Sequence, residues 1–110
     1  MNTYKCSVCG YVYESEEIYD KCPVCGAPRD KMMELDQEAK DKVYNSDVTN
    51  DIHMDIITLA ASLIELCEDG IEENLDPTCV RAFEISKNLA WQIKQVSKAE
   101  LEKHVQKGKW

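Results

Sequence analysis

The sequence predicts an α+β chain: a small β knob held by a metal, followed by an antiparallel hairpin of two or three helices. Three observations predict it. Cys6, Cys9, Cys22 and Cys25 form two Cys-x-x-Cys pairs in the first quarter of a 110-residue chain. Residues 1–35 carry two of the three prolines, four of the five tyrosines and two of the four glycines, a turn-rich composition. Beyond residue 36 the chain turns to helix formers, with apolar residues recurring at helical spacing.

Charge narrows the function classes. Acids outnumber bases by 21 to 13, a formal charge of −8. A nucleic-acid binder needs a basic footprint, and docking on an anionic membrane needs basic clusters. No segment approaches the roughly 20 apolar residues of a membrane span. The N-terminal MNTYKC lacks the apolar stretch of a secretory signal. These features lead to the expectation of a cytoplasmic protein with no nucleic-acid or membrane partner. In a reducing compartment, paired cysteines read as metal ligands rather than as disulfides.

Taken in order, Thr3–Lys5 and Val12–Glu14 flank the first pair and are expected to form a hairpin. Lys31–Leu35 is expected to add a third strand. About 35 residues bury too little surface to fold unaided, so domain 1–35 requires its metal. Residues 36–48 read as a linker or a short helix capped by Asp36.

Domain 49–110 reads as the helical hairpin. Thr49 or Asn50 caps the first helix. Ile52, Ile56, Leu59, Leu63 and Leu66 form its expected core face, widened by Ile57, Ile64 and Ile71. The helix is expected to run through Glu73 and stop at Asn74 in a left-handed conformation. Asp76-Pro77 is an N-cap followed by proline at the first helical position. Ala82, Ile85, Leu89, Ile93 and Val96 form the second expected core face. The apolar phase then slips, and Ser97-Lys98-Ala99-Glu100 has a capping-box pattern. A kink or a short third helix ending near Lys107 follows from it.

Remaining residues are read plainly. His53 and His104 are expected at the surface or its boundary. Phe83 and Trp91 are expected to pack. Cys67 and Cys79 read as small buried hydrophobes. With the turn centred on Leu75, Cys67 lies level with about Phe83, too far along the axis from Cys79 for a disulfide. Residues 37–76 hold eleven acids and two bases, whereas residues 77–110 hold three acids and seven bases. Opposed charges favour pairing the two arms. The limited core of such a unit predicts a homodimer through the helices, or docking on a larger redox enzyme.

Two residues between ligands let the chain turn so that both sulfurs address one ion. Gly10 and Gly26, each just after a pair, permit a positive φ there. Four thiolates suit a tetrahedral iron or zinc ion, and both metals accept this ligand set.

Tyr4-Lys5-Cys6-Ser7-Val8-Cys9-Gly10-Tyr11-Val12-Tyr13 and Cys22-Pro23-Val24-Cys25-Gly26-Ala27-Pro28 resemble the two knuckles of rubredoxins. The twelve-residue gap between the pairs is similar to that of the compact rubredoxin-like domain of rubrerythrins. The resemblance covers the first third of the chain; the helical part resembles no family. Lys21 stands where free-standing rubredoxins carry an aromatic, and Met32 or Met33 replaces another, which predicts a thinner aromatic core.

The resemblance implies one iron in four cysteine thiolates, cycling between ferric and ferrous. Its knuckle geometry implies N–H donors to sulfur from Val8, Cys9, Tyr11, Val24, Cys25 and Ala27. Cys9 and Cys25 would lie nearer solvent, with Val8, Val24 and Ala27 as the apolar cap a partner approaches. The expected function is one-electron transfer between a reductase or flavoprotein donor and another redox protein, such as a peroxide- or oxygen-detoxifying one. The chain itself would be no enzyme. A di-iron site of the rubrerythrin kind needs two Glu-x-x-His pairs. His53 and His104 follow Asn50 and Leu101 at that spacing, so the ligand count fails. The alternative is a zinc ribbon that orients a helical assembly module.

Overall fold

Residues 1–110 are described by a computed structural model, and they divide into two compact units, Met1–Tyr44 and Asn45–Trp110. In the first, alternating residues of Asn2–Cys6 (β1) turn inward, so that Tyr4 and Cys6 are buried. β1 is the centre strand of an antiparallel sheet, flanked by Val12–Ser15 (β2) and Met32–Glu34 (β3). Tyr4 lies opposite Tyr13, and Cys6 opposite Met32. The core comprises Tyr4, Cys6, Tyr13, Cys22, Ala27 and Met32. Two ligands are thus also core residues, which couples the metal site to folding.

The aromatic core is thicker than expected. Tyr19 stacks on Tyr13 with centroids 4.1 Å apart and planes within 6°. Tyr13 also stacks on Tyr4 at 5.3 Å and Tyr11 at 5.7 Å. The Tyr19 N–H donates to the Tyr13 hydroxyl oxygen at 3.2 Å, which ties the shortened loop to the stack. Tyr19 therefore supplies the ring that Lys21 cannot.

The first helix (α1) spans Gln37–Glu73, thirty-seven residues without interruption. It starts at Gln37 rather than at Thr49 or Asn50, because Asp36 caps it: the Ala39 N–H donates to Asp36 Oδ1 at 2.8 Å. Residues 37–48 are thus helix and not a linker. Within the first unit, the Tyr44 hydroxyl and Thr3 Oγ1 share a hydrogen bond of 3.0 Å.

α1 ends at Asn74, whose φ is 51°. The second helix (α2) spans Pro77–Gln106, with Asp76 as N-cap accepting from the Cys79 N–H at 2.8 Å. It runs uninterrupted through Ser97, with no separate third helix. Ser97 is buried and hydrogen-bonded to His53 Nδ1 at 3.0 Å, so its hydroxyl serves the contact with α1 and not a cap.

The core faces expected for the hairpin are used only in part. Ile52, Leu59, Leu63 and Leu66 of α1 are exposed, with Val48 on the same side, as are Ala82, Ile85, Leu89, Ile93 and Val96 of α2, whereas Ile56 is half-buried. Ser46, Asn50, Ala60 and Cys67 of α1 are buried instead, with Ala90, Ser97 and His104 of α2. Half-buried Ile57, Ile64 and Ile71 continue the α1 seam. The seam positions of α1 advance by alternate steps of three and four residues, the spacing of a left-handed two-helix packing. Small and polar residues at these positions let the backbones approach, and the larger aliphatic stripe is turned aside.

The seam's polar residues are satisfied. His104 is buried, contrary to the surface or boundary placement expected for it. Its Nδ1 is hydrogen-bonded to Asn50 Oδ1, and its Nε2 lies 3.3 Å from Glu100 Oε1. Asn50 Nδ2 and Ser46 Oγ donate to the Lys109 carbonyl at 2.8 and 2.7 Å. Near the turn, Gly70 faces Phe83 so closely that a Cβ there would stand 2.5 Å from the ring. This places Gly70, and not Cys67, level with Phe83. Cys67 is buried, Cys79 is half-buried and both are free thiols. Trp91 does not pack; it is exposed, with Lys94 Nζ 5.4 Å from its ring centroid. No helix is long and apolar enough to cross a membrane.

Candidate metal centre

The site is two copies of one local device. In the first knuckle the Gly10 N–H donates to the Cys6 carbonyl at 2.9 Å and the Cys6 N–H to the Tyr11 carbonyl at 2.9 Å. In the second, Gly26 donates to Cys22 and Cys22 to Ala27, again at 2.9 Å. Each turn closes through a glycine with positive φ, 83° at Gly10 and 75° at Gly26. Any other residue is strained in that region. This is why Cys-x-x-Cys-Gly recurs.

The turns bring Cys6, Cys9, Cys22 and Cys25 together, with all four Sγ atoms within 4.8 Å of one another. Cys6 and Cys25 Sγ are 3.7 Å apart, and Cys9 and Cys22 Sγ 3.6 Å. A tetrahedron with metal–sulfur bonds of about 2.3 Å has edges of about 3.8 Å, so the sulfurs fit one ion. Cys6 and Cys22 are buried, whereas Cys9 and Cys25 are exposed.

Backbone amides converge on the sulfurs with the same pseudo-symmetry. Cys6 accepts from the Cys9 and Val8 N–H groups, and Cys9 from Tyr11. Cys22 accepts from Cys25 and Val24, and Cys25 from Ala27. The Cys9 N–H, with Val8 behind it, holds the Cys6 thiol below the ordinary range. Burial raises the Cys22 thiol, but the Cys25 and Val24 amides outweigh it and bring it to about 7. Tyr11 favours the Cys9 thiolate, yet burial and three neighbouring sulfurs push Cys9 up to about 12. Cys25 is raised, the Ala27 amide notwithstanding, by burial and by Cys6 and Cys22. Four thiolates this close repel one another, and a cation at their centre removes that repulsion.

Val8 and Val24 stand 63% and 67% exposed beside the sulfurs. Ala27 does not join them. It is buried at 8%, because its chain segment bridges back to Lys21 through Pro28, and only its N–H serves the site. The apolar cap is therefore two valines.

Two knuckles and their four sulfurs make a candidate metal centre in a small three-stranded domain followed by a helical hairpin, and residues 4–33 match the family model described as "Rubrerythrin, rubredoxin-like domain". Among curated proteins, reverse rubrerythrin-1 of Clostridium acetobutylicum is 50% identical over 40 residues, which cover 36% of this chain and 22% of that protein. The chain thus matches about a fifth of the length of that relative. No solved structure matches.

Proposed function

We propose that the chain is a one-electron carrier with a single iron in the four-thiolate site. The observation that carries this reading is the sulfur tetrahedron with six amide donors in a domain that matches the rubrerythrin rubredoxin-like model. Iron bound there supplies a ferric/ferrous couple. Amides aimed at sulfur stabilise the added negative charge of the reduced form. All four ligands come from two closed turns, so the protein reorganises little between oxidation states. Val8 and Val24 exclude water from one side of the sulfurs and offer a partner close approach.

The donor under this reading is a reductase or flavoprotein. The acceptor is another redox protein, such as one that detoxifies peroxide or oxygen, and the chain itself turns over no substrate. Free thiols at Cys67 and Cys79 suit the cytoplasm. The same tetrahedron accepts zinc, which would make the domain a structural ribbon. Metal analysis of chain reconstituted in an equimolar mixture of the two ions decides between them. The electron-carrier reading expects one iron per chain and a red protein that bleaches with dithionite. A colourless protein with one zinc per chain contradicts it.

A further inference from the structure

The helical unit buries little apolar surface of its own: Ala60, Cys67 and Ala90 are its buried hydrophobic residues. A unit so small needs a larger core or an association to be stable. Its large aliphatic side chains lie on the two exposed stripes, Val48 to Leu66 on α1 and Ile85 to Val96 on α2, at 42–69% exposure.

Helical geometry fixes where these stripes point. At about 100° per residue, each stripe is displaced roughly 110° from its own helix's seam, in the same rotational sense along each chain direction. Because the helices are antiparallel, that common sense brings both stripes out on one side of the hairpin. The result is a single apolar face two helices wide. At roughly 100 Å² of exposed surface apiece, its nine large side chains exceed the few hundred Å² of apolar patch that monomers usually show. They approach the about 800 Å² per partner of a standard interface.

We propose that a second copy of this chain covers this face, the two hairpins closing into an antiparallel four-helix bundle with α1 of each copy over α2 of the other. Charge selects the occupant and the arrangement. Residues 37–76 hold eleven acids against two bases, and residues 77–110 seven bases against three acids. One chain thus carries both halves of a complementary pair. A two-fold axis parallel to the helices sets acidic arm over basic arm twice, whereas an axis across them sets like over like. Register names the flanking groups. The Asn50–His104 bond puts Asp51 level with Lys103, so Asp55 stands about one helical turn from Lys103 along the axis. At about 100° per residue Asp55 shares the helical position of Val48 at the outer edge of the α1 stripe, and Lys103 continues the α2 stripe seven residues beyond Val96, so the two flank the proposed interface. Within the chain, Lys103 reaches the exposed Glu100 at 3.9 Å.

The test is sedimentation velocity of the full metal-loaded chain from about 1 to 100 µM, with helicity followed by circular dichroism. The proposal expects a dimer of the 12.6 kDa chain. It expects Asp55→Lys to raise the dimer dissociation constant about tenfold, and Lys103→Glu to do the same. Combining the two substitutions should restore most of the original affinity. These surface changes leave the core untouched, so they remain informative if Leu59→Glu simply unfolds the helices. A helical monomer at about 100 µM overturns the proposal and assigns the face to a different protein. A dimer insensitive to Leu59→Glu, or charge substitutions that neither weaken the dimer nor rescue one another, also overturns it.

Discussion

The ring of Phe83 occupies the space that a side chain at residue 70 would need: a Cβ on Gly70 would lie 2.5 Å from Cε2 and 2.6 Å from two further ring carbons. A glycine within a helix ordinarily costs about 1 kcal/mol relative to alanine. Here it admits the one aromatic ring of the seam. Gly70→Ala is therefore expected to destabilise the helical unit by about 1–3 kcal/mol, the cost of overpacking, despite its better helix propensity. Chemical denaturation followed by far-ultraviolet circular dichroism measures it. Adding Phe83→Leu should recover most of the loss, and a stabilising Gly70→Ala would show that the ring is readily displaced.

The seam's hydrogen bonds are expected to be asymmetric in cost. Asn50 Oδ1 accepts from the His104 Nδ1–H, and Asn50 Nδ2 donates to the Lys109 carbonyl. Asn50→Ala removes both contacts and leaves buried His104 short of a partner, at a cost of about 1–3 kcal/mol. The double variant Asn50→Leu with His104→Leu should cost less than the two single changes added together. Additive losses in a double-mutant cycle would mean that the pair is not coupled.

Asp76 makes the hairpin's stability depend on acid. The Cys79 N–H, then the Thr78 hydroxyl, hold its carboxyl below the usual aspartate range. Its contribution is thus complete above the unfolded carboxyl's pKa of about 3.9 and is lost as pH falls through the lower folded value. Asp76→Asn should flatten the thermal midpoint between about pH 5 and pH 2 relative to the parent. An unchanged slope would assign the acid sensitivity to other carboxyls.

Sequence legibility followed how local each constraint was. The knuckles were legible because ligand spacing and the positive φ after each pair are decided within five residues, as were Asn74 and Asp76-Pro77 at the helix ends. The seam was not legible, because α1 presents one broad apolar arc from Leu66 round to Ile57 and the period alone does not say which part faces α2. Small residues at Ser46, Asn50, Ala60 and Cys67, which are four, ten and seven apart and so fall on one helical face, were the available signal. The Asp36 cap was legible as one of two readings, but the continuity of that helix past residue 48 was not, because residues 37–48 carry few apolar residues to mark a face. Tyr19 was missed because its stack on Tyr13 depends on how the short loop closes, a tertiary matter.

Metal loss is expected to unfold the first unit selectively. Cys6 and Cys22 belong to its core, so an acid pulse with chelator should remove hydrogen-exchange protection from Asn2–Cys6 and Val12–Ser15. The amides of Pro77–Gln106 should stay protected. Tyr19→Ala, which removes the stacked ring, should speed metal release several-fold. Equal protection of the sheet with and without metal would show that the tyrosine stack suffices by itself.

The central claim is that the four-cysteine site carries one electron. A coulometric reductive titration of the iron-loaded chain, read in the visible charge-transfer bands, tests it most directly. The account predicts full and reversible bleaching at one electron per chain, and slower reduction by a flavoprotein when Val8 is replaced by Glu. A site that takes up no electron, or that loses its metal on the first reduction, would contradict it.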